Sequence, residues 1–176
     1  MYQSEALWIN FSSKFPCAIK IACGKINAVS GESWNHRLSR YPQNYVVVPE
    51  QPWIDGFNVS KDQVRQFTAM PLGKGYSAEE QITGVAEFGG IQILAFPMKK
   101  YLAKRFFEPE ADRYERLNHW CGTPMLLEEQ SCKQSKIAYD MGLAPGGLID
   151  QTIEKDHRGI KTWDFDNSLR CYVHLL

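Results

Sequence analysis

Two adjacent glycines, Gly89 and Gly90, lie between two apolar stretches, QITGVAEF and IQILAFP. Glycine adopts positive φ angles without steric cost, and the primed type of two-residue hairpin turn requires them at its centre. The pattern therefore predicts an antiparallel hairpin over residues 81–97. In that register Phe88 lies opposite Ile91 on an apolar face, and a slip of one residue would mix the two faces.

Other short runs also predict strands. In LWINF, apolar residues alternate with polar or aromatic ones, which places Leu7, Ile9 and Phe11 on one face. The segment SLRCYVHLL near the end of the chain alternates in the same way. CAIKIAC predicts a strand with Lys20 opposite its apolar face, and the proline that ends YVVVP indicates a sheet edge or an exit from the sheet. These runs predict a mainly β fold, an antiparallel sandwich or a rolled sheet, with an α+β fold as the alternative.

The character of the sequence changes after Met98. The segment KKYLAKRFFEPEADRYERLNHW is charged, free of glycine and rich in helix-forming residues, and MLLEEQSCKQSKIAYDMG predicts a second short helix that ends at Gly142. We therefore expect one domain over residues 1–176, in which residues 99–140 form a helical or partly mobile excursion. A last strand then returns to the sheet.

Composition excludes several classes of partner. Lysine and arginine number 20, aspartate and glutamate also number 20, and the formal net charge is zero. A protein that binds nucleic acid or an anionic membrane needs a concentrated basic face, so neither partner is expected. The N-terminal sequence resembles no signal peptide, no apolar run approaches the length of a membrane span, and the five cysteines form no C-x-x-C pair. We expect a soluble cytoplasmic protein with reduced thiols.

The glycine-rich segment TAMPLGKGYSAEEQITG, residues 68–84, invites comparison with phosphate-binding loops. The Walker pattern lacks its first glycine, and Ala78 stands where the dinucleotide fingerprint has its third glycine. Because EEQITGVAEF is predicted to continue as a strand and not as a helix, we reject both interpretations. Two remain: a wide turn between antiparallel strands, or a loop that contacts a ligand through Lys74, Tyr76, Glu79 and Glu80.

A second candidate lies in PEQPWIDGF. Trp53 is a candidate stacking platform for carbohydrate or another ligand with a planar face, and Asp55 offers hydrogen-bond acceptors beside it. Arg65 follows closely along the chain. The alternative is that Trp53 folds onto the sheet edge while Asp55 caps its own turn. The predicted ligand-binding set is Trp53, Asp55, Arg65, Lys74, Tyr76, Glu79 and Glu80.

Catalytic and metal-binding patterns are weak. His119 and Cys121 in NHWCG have no identifiable third group to orient them, and WDFDNS is half a calcium loop without its glycine and distal glutamate. We assign no catalytic residue and predict no metal and no cofactor.

The patterns QPWIDG, QFTAMPLGKGYSAEEQITG and MGLAPGG together resemble a group of uncharacterised microbial proteins that share them. The resemblance implies no activity or site. The leading hypothesis is a non-catalytic binding or interaction module that presents its aromatic and glycine-rich loops to an unknown ligand or partner protein. One alternative is a hydrolase whose acid and base groups, Asp55, Glu79, Glu80 and His119, converge from loops. The other is a structural subunit of a larger assembly.

Overall fold

The computed structural model describes residues 1–60, 63–107 and 140–176. The chain divides into two compact units, one formed by Met1–Lys99 with Ala138–Leu176 and the other by Lys100–Ile137. The first unit is built mainly from antiparallel strands, which confirms the mainly β class. No helix in the described part of the chain has both the length and the apolar character to cross a membrane.

The strands of the first unit are short, and each described strand pairs with antiparallel neighbours. Their bounds are β1 (Ala6–Leu7), β2 (Ile9–Asn10), β3 (Cys17–Cys23), β4 (Ile26–Asn27), β5 (Val46–Val48), β6 (Trp53–Ile54), β7 (Gly56–Ser60), β8 (Gln63–Pro71), β9 (Ile91–Pro97), β10 (Met141–Ile149) and β11 (Leu169–Val173). Two helices are described, α1 (Ala78–Thr83) in the first unit and α2 (Lys100–Phe107) in the second, together with a 3-10 turn at Ile160–Thr162.

The described strands form three sheets. In the first, β8 pairs with β10 along one edge, and with β7 and then β1 along the other. The second has the order β11-β9-β3-β4, with β5 also paired to β3, and the third is the ladder of β2 with β6. The hydrophobic core draws buried side chains from both larger sheets, as in a sandwich: Ile21, Val46 and Ile91 from one, Phe67, Ala69 and Leu143 from the other.

Several predicted strands are confirmed. CAIKIAC is β3, VVV is β5 and forms an outer strand of its sheet, and IQILAFP is β9. The predicted inward face of LWINF is also confirmed, because Leu7, Ile9 and Phe11 pack against the core.

The predicted hairpin at Gly89 and Gly90 is wrong. Residues 78–83 form helix α1, and β9 pairs with β3 and β11 instead of with the segment before the glycines. Both glycines do adopt positive φ angles, but they end an irregular connection in which Phe88 is exposed. The helix starts because the Ser77 side chain accepts a hydrogen bond from the Glu80 backbone amide, while the Glu80 carboxylate accepts one from the Ser77 backbone amide. This capping box favours a helix, although the apolar pattern that follows also fits a strand.

Two further expectations are corrected near the end of the chain. Gly142 does not end a helix but lies in β10, while residues 125–139 of that predicted helix fall outside the described residues. The last strand is present as β11, yet its Leu169 and Val173 side chains are exposed, because β11 is the outermost strand of its sheet. Of the predicted helical segment 99–140, α2 is helical and residues 108–139 are not described.

Candidate functional site

The predicted ligand-binding residues fall into two groups near opposite ends of β8. Trp53 and Asp55 lie beside its first half, where the Phe67 amide donates a hydrogen bond of 2.8 Å to the Asp55 carbonyl. Lys74 and Tyr76 follow its last residue, Pro71. A strand rises about 3.3 Å per residue, so Phe67 and Pro71 are already about 13 Å apart. The two groups are therefore attached at different positions along β8.

Glu80 has a structural role in the second group. Its carboxylate accepts hydrogen bonds from the backbone amides of Gly75 and Ser77, at 2.9 and 3.0 Å, and from the Ser77 hydroxyl at 2.7 Å. Burial alone would raise the pKa of Glu80, but these hydrogen bonds outweigh burial and lower it. The carboxylate closes the turn and starts α1, so it is not poised to receive a ligand.

The Glu79 side chain is buried and binds the backbone of the connection that precedes β9. Its Oε2 accepts hydrogen bonds from the backbone amides of Phe88 at 3.3 Å and Gly89 at 3.2 Å. A Cβ atom on Gly24 would lie 2.4 Å from the same oxygen, so the backbone of that glycine packs directly against the carboxylate. Glu79 Oε2 thus fastens the connection before β9 to the body of the sandwich, while Oε1 is buried without a hydrogen-bond partner among the described residues.

The glycine loop, residues 72–77, does follow a strand and precede a helix, contrary to the expectation that a strand continues. A phosphate site is still unsupported there. The strands paired with β8 are all antiparallel, whereas the dinucleotide fingerprint belongs to a parallel βαβ unit, and the Gly75 amide is already bonded to Glu80. Lys74 and Tyr76 remain exposed on this turn.

The first group lies on the β2–β6 ladder. Trp53 pairs directly with Asn10, and Ile54 pairs with Ile9. Ile54 is fully buried and Ile9 packs against the core, so the alternating side chains of Asn10 and Trp53 point outward. Trp53 is 51% exposed, so about half of its surface is accessible to a ligand.

A second tryptophan shares this outward side. Trp8 stands between Leu7 and Ile9, which both pack against the core, and it is 61% exposed. It immediately precedes β2 and is two residues from Asn10, the residue that pairs with Trp53. We call Trp8, Asn10 and Trp53 the tryptophan shelf. Sequence analysis missed Trp8, although the same LWINF alternation that turned its neighbours inward required it to point outward.

Asp55 lies at the end of the tryptophan shelf. The backbones of Leu7 and Asp55 both meet β8 at Phe67, so the aspartate neighbours the segment that carries Trp8. Its amide donates a 2.7 Å hydrogen bond to the Gln151 side chain, which fixes the backbone here. Asp55 is half-buried, and its Oδ1 is a buried oxygen with no hydrogen-bond donor among the described residues, so this oxygen is not exposed to a ligand on the surface.

Arg65 does not join the tryptophan shelf. Its guanidinium donates a 2.9 Å hydrogen bond to the Gly146 carbonyl of β10. β10 pairs with the edge of β8 opposite to the one that β1 occupies. Arg65 therefore links two strands of the first sheet.

The groups proposed for acid–base chemistry are not assembled in the described part of the chain. Glu79 and Glu80 lie in α1, Asp55 lies between β6 and β7, and His119 lies outside the described residues. No cluster of three or more His, Cys, Asp or Glu side chains suited to a metal ion occurs among the residues described. The arrangement these residues offer is an aromatic surface beside polar groups.

Comparison with known proteins adds no assignment, and the resemblance to a microbial group stays a prediction. No protein-family model matches the chain, and no match to it is found among curated proteins or solved structures.

Proposed function

We propose that this protein is a non-catalytic binding module that holds a saccharide against the tryptophan shelf. The observation that carries the proposal is that Trp8 and Trp53 are each more than half exposed, and that Trp8 immediately precedes β2, the strand with which Trp53 pairs. A sugar ring has an apolar face of C–H groups that stacks on an indole and removes the apolar surface of both from water.

The backbone under the tryptophan shelf supports this role. Trp53 extends from a strand residue beside the buried Ile54, and Trp8 lies between Leu7 and Ile9, which both pack against the core, so binding orders few new torsions. Saccharide hydroxyl groups need polar partners at the edge of the stacked ring. The Asn10 side-chain amide, on the residue paired with Trp53, can both donate and accept such hydrogen bonds.

The hydrolase alternative has less support, because the Glu80 carboxylate and Oε2 of Glu79 accept hydrogen bonds from backbone amides. The proposal keeps the cytoplasmic location predicted from the sequence. The free thiols of Cys17, Cys23 and Cys171 are consistent with a reducing compartment.

A panel of immobilised mono- and oligosaccharides tests the proposal. The wild type is compared with Trp8→Ala, Trp53→Ala and a control, Tyr41→Ala, which removes an exposed aromatic side chain outside the shelf. We expect the wild type to retain at least one saccharide, and each shelf variant to bind it about 10-fold more weakly, equivalent to about 1.4 kcal/mol. Absence of any retained saccharide, or an equal loss in Tyr41→Ala, would contradict the proposal.

A further inference from the structure

The outer edge of β11 is open in the described part of the chain. β11 pairs with β9 on one side, and no described backbone group pairs with its other side. Leu169 is 64% exposed, and Cys171 and Val173 are also exposed. An open strand edge with apolar side chains is a template for pairing with another strand, and proteins normally protect such edges.

We propose that this edge pairs with β11 of a second copy of the chain, so that the second sheet continues across a two-fold axis at Cys171. This inference is independent of the tryptophan shelf, which belongs to a different ladder. Closed two-fold dimers are the commonest oligomers of soluble proteins, and their interfaces require a self-complementary surface.

The sequence of β11 is self-complementary about Cys171, its central residue. Antiparallel pairing about that residue places Leu169 opposite Val173 of the partner subunit, which covers two exposed apolar side chains at each end. It places Arg170 opposite Tyr172 of the partner subunit. Within one subunit the Arg170 guanidinium donates a 2.9 Å hydrogen bond to His36 and the Tyr172 hydroxyl donates one of 3.0 Å to the Gly89 carbonyl, so the apolar Leu169–Val173 pairs are the main side-chain contacts of this register.

Neighbouring registers are less favourable. Along a strand, the backbone N–H and C=O groups of every second residue point to the same edge. When a strand pairs with its own copy in antiparallel fashion, one residue must therefore lie directly opposite the same residue of the partner subunit, and the two-fold axis passes between these two residues. An axis at Arg170 would set two arginines opposite each other, which is destabilising. An axis at Tyr172 would leave Leu169 without a partner among the residues of β11. The axis at Cys171 pairs all five residues of the strand.

Sedimentation velocity of the full chain over a wide concentration range tests this dimer. We expect the weight-average mass of the wild type to rise toward twice the monomer mass, and Leu169→Lys to stay monomeric. Leu148→Lys is the matched control, since Leu148 on β10 is exposed to almost the same degree, 62%. A wild type that is monomeric at every concentration, or a dimer that Leu169→Lys leaves intact, would overturn the proposal.

Oxidation of the wild type provides a second readout that needs no folding-sensitive variant. Residues directly opposite in an antiparallel pair have Cα atoms about 4.5–5.5 Å apart, within the range that a disulfide spans. Diamide, which takes two electrons and two protons from a pair of thiols, should therefore convert the wild type to a covalent dimer. Cys171→Ser should remain monomeric on a non-reducing gel. Equal cross-linking of the wild type and Cys171→Ser would contradict the two-fold axis at this residue.

Discussion

Trp53 lies directly across the β2–β6 ladder from Asn10, and the adjacent pair of that ladder, Ile9 and Ile54, packs into the core. Ile9 and Ile54 therefore hold the ladder against the core, while their neighbours Asn10 and Trp53 face the solvent. This division makes the proposed binding surface separable from the stability of the fold.

The first prediction follows from this separation. Trp163 is fully buried and its indole N–H donates a 3.1 Å hydrogen bond to Asp156, so Trp163→Ala should lower the free energy of unfolding by about 3–5 kcal/mol. Trp53→Ala removes a half-exposed side chain and should cost less than about 1 kcal/mol. Urea unfolding followed by circular dichroism measures both. Similar losses in the two variants would show that Trp53 is part of the core.

The second prediction concerns the glycine that packs against Glu79. Gly24 has a φ of +58°, and a Cβ there would lie 2.4 Å from the Glu79 carboxylate oxygen, so Gly24→Ala combines backbone strain with a steric clash. We expect a loss of about 1–3 kcal/mol in unfolding free energy. In the control, Gly147→Ala, a Cβ meets nothing within 4 Å, and stability should change little. Equal thermal shifts for the two variants would be inconsistent with the Gly24–Glu79 contact.

The third prediction concerns acid stability. The buried Asp156 carboxylate accepts hydrogen bonds from the hydroxyl of Tyr45, the indole of Trp163, and the backbone amides of Arg158 and Gly159. Burial alone would raise the pKa of Asp156, but these hydrogen bonds outweigh burial and lower it. A depressed folded-state pKa gives stability that is complete above the unfolded value of about 3.9 and is lost as pH falls through the lower folded value.

Asp156→Asn should therefore cost about 1–3 kcal/mol at pH 7, because an amide group cannot accept all of these donors. Below about pH 4 the difference from the wild type should shrink, since only the wild type loses a carboxylate there. Unfolding free energies at pH 7 and over the acid range measure both effects. A difference that stays constant down to acid unfolding would argue against a stabilising ionised Asp156.

The fourth prediction concerns alkaline pH. Lys20 is fully buried, and its ammonium donates hydrogen bonds to the Asn35 side chain at 2.8 Å and the Arg37 carbonyl at 2.6 Å. Burial lowers the pKa of Lys20 to about 8, although the charge of Glu32 opposes the shift. Because the unfolded value is about 10.4, the unfolded chain binds the proton more tightly, and stability should rise between about pH 8 and 10.4.

Lys20→Met lacks this group, so the stability of the wild type should increase relative to the variant between pH 7 and 9.5. Chemical unfolding at the two pH values gives the comparison. A relative decrease for the wild type would mean that the folded protein stabilises the charged ammonium.

The β class could be predicted from sequence because several short runs carried the same two-residue alternation. The Gly89–Gly90 hairpin failed because apolar runs of this length fit a helix or a strand equally well. The local signal that decides between them, Ser77 followed three residues later by Glu80, is present in the sequence and favours a helix start.

The candidate site could be predicted only in part for a related reason. Trp53 was recognisable from its surroundings in the chain, whereas Trp8 comes near it only because the next strand, β2, pairs with the distant β6. Glu79 was placed in the ligand set because a charged residue in a glycine-rich loop is usually exposed. Its burial depends on contact with Gly24 and Gly89, which local sequence does not encode.

The most direct test of the tryptophan shelf is a titration of the ¹⁵N-labelled protein with a retained saccharide, observed through the five tryptophan indole N–H signals in two-dimensional NMR. The account predicts that the signals assigned to Trp8 and Trp53 shift together with one saturation curve, while that of buried Trp163 stays in place. Saturable binding that moves other indole signals and leaves those of Trp8 and Trp53 unchanged would contradict it.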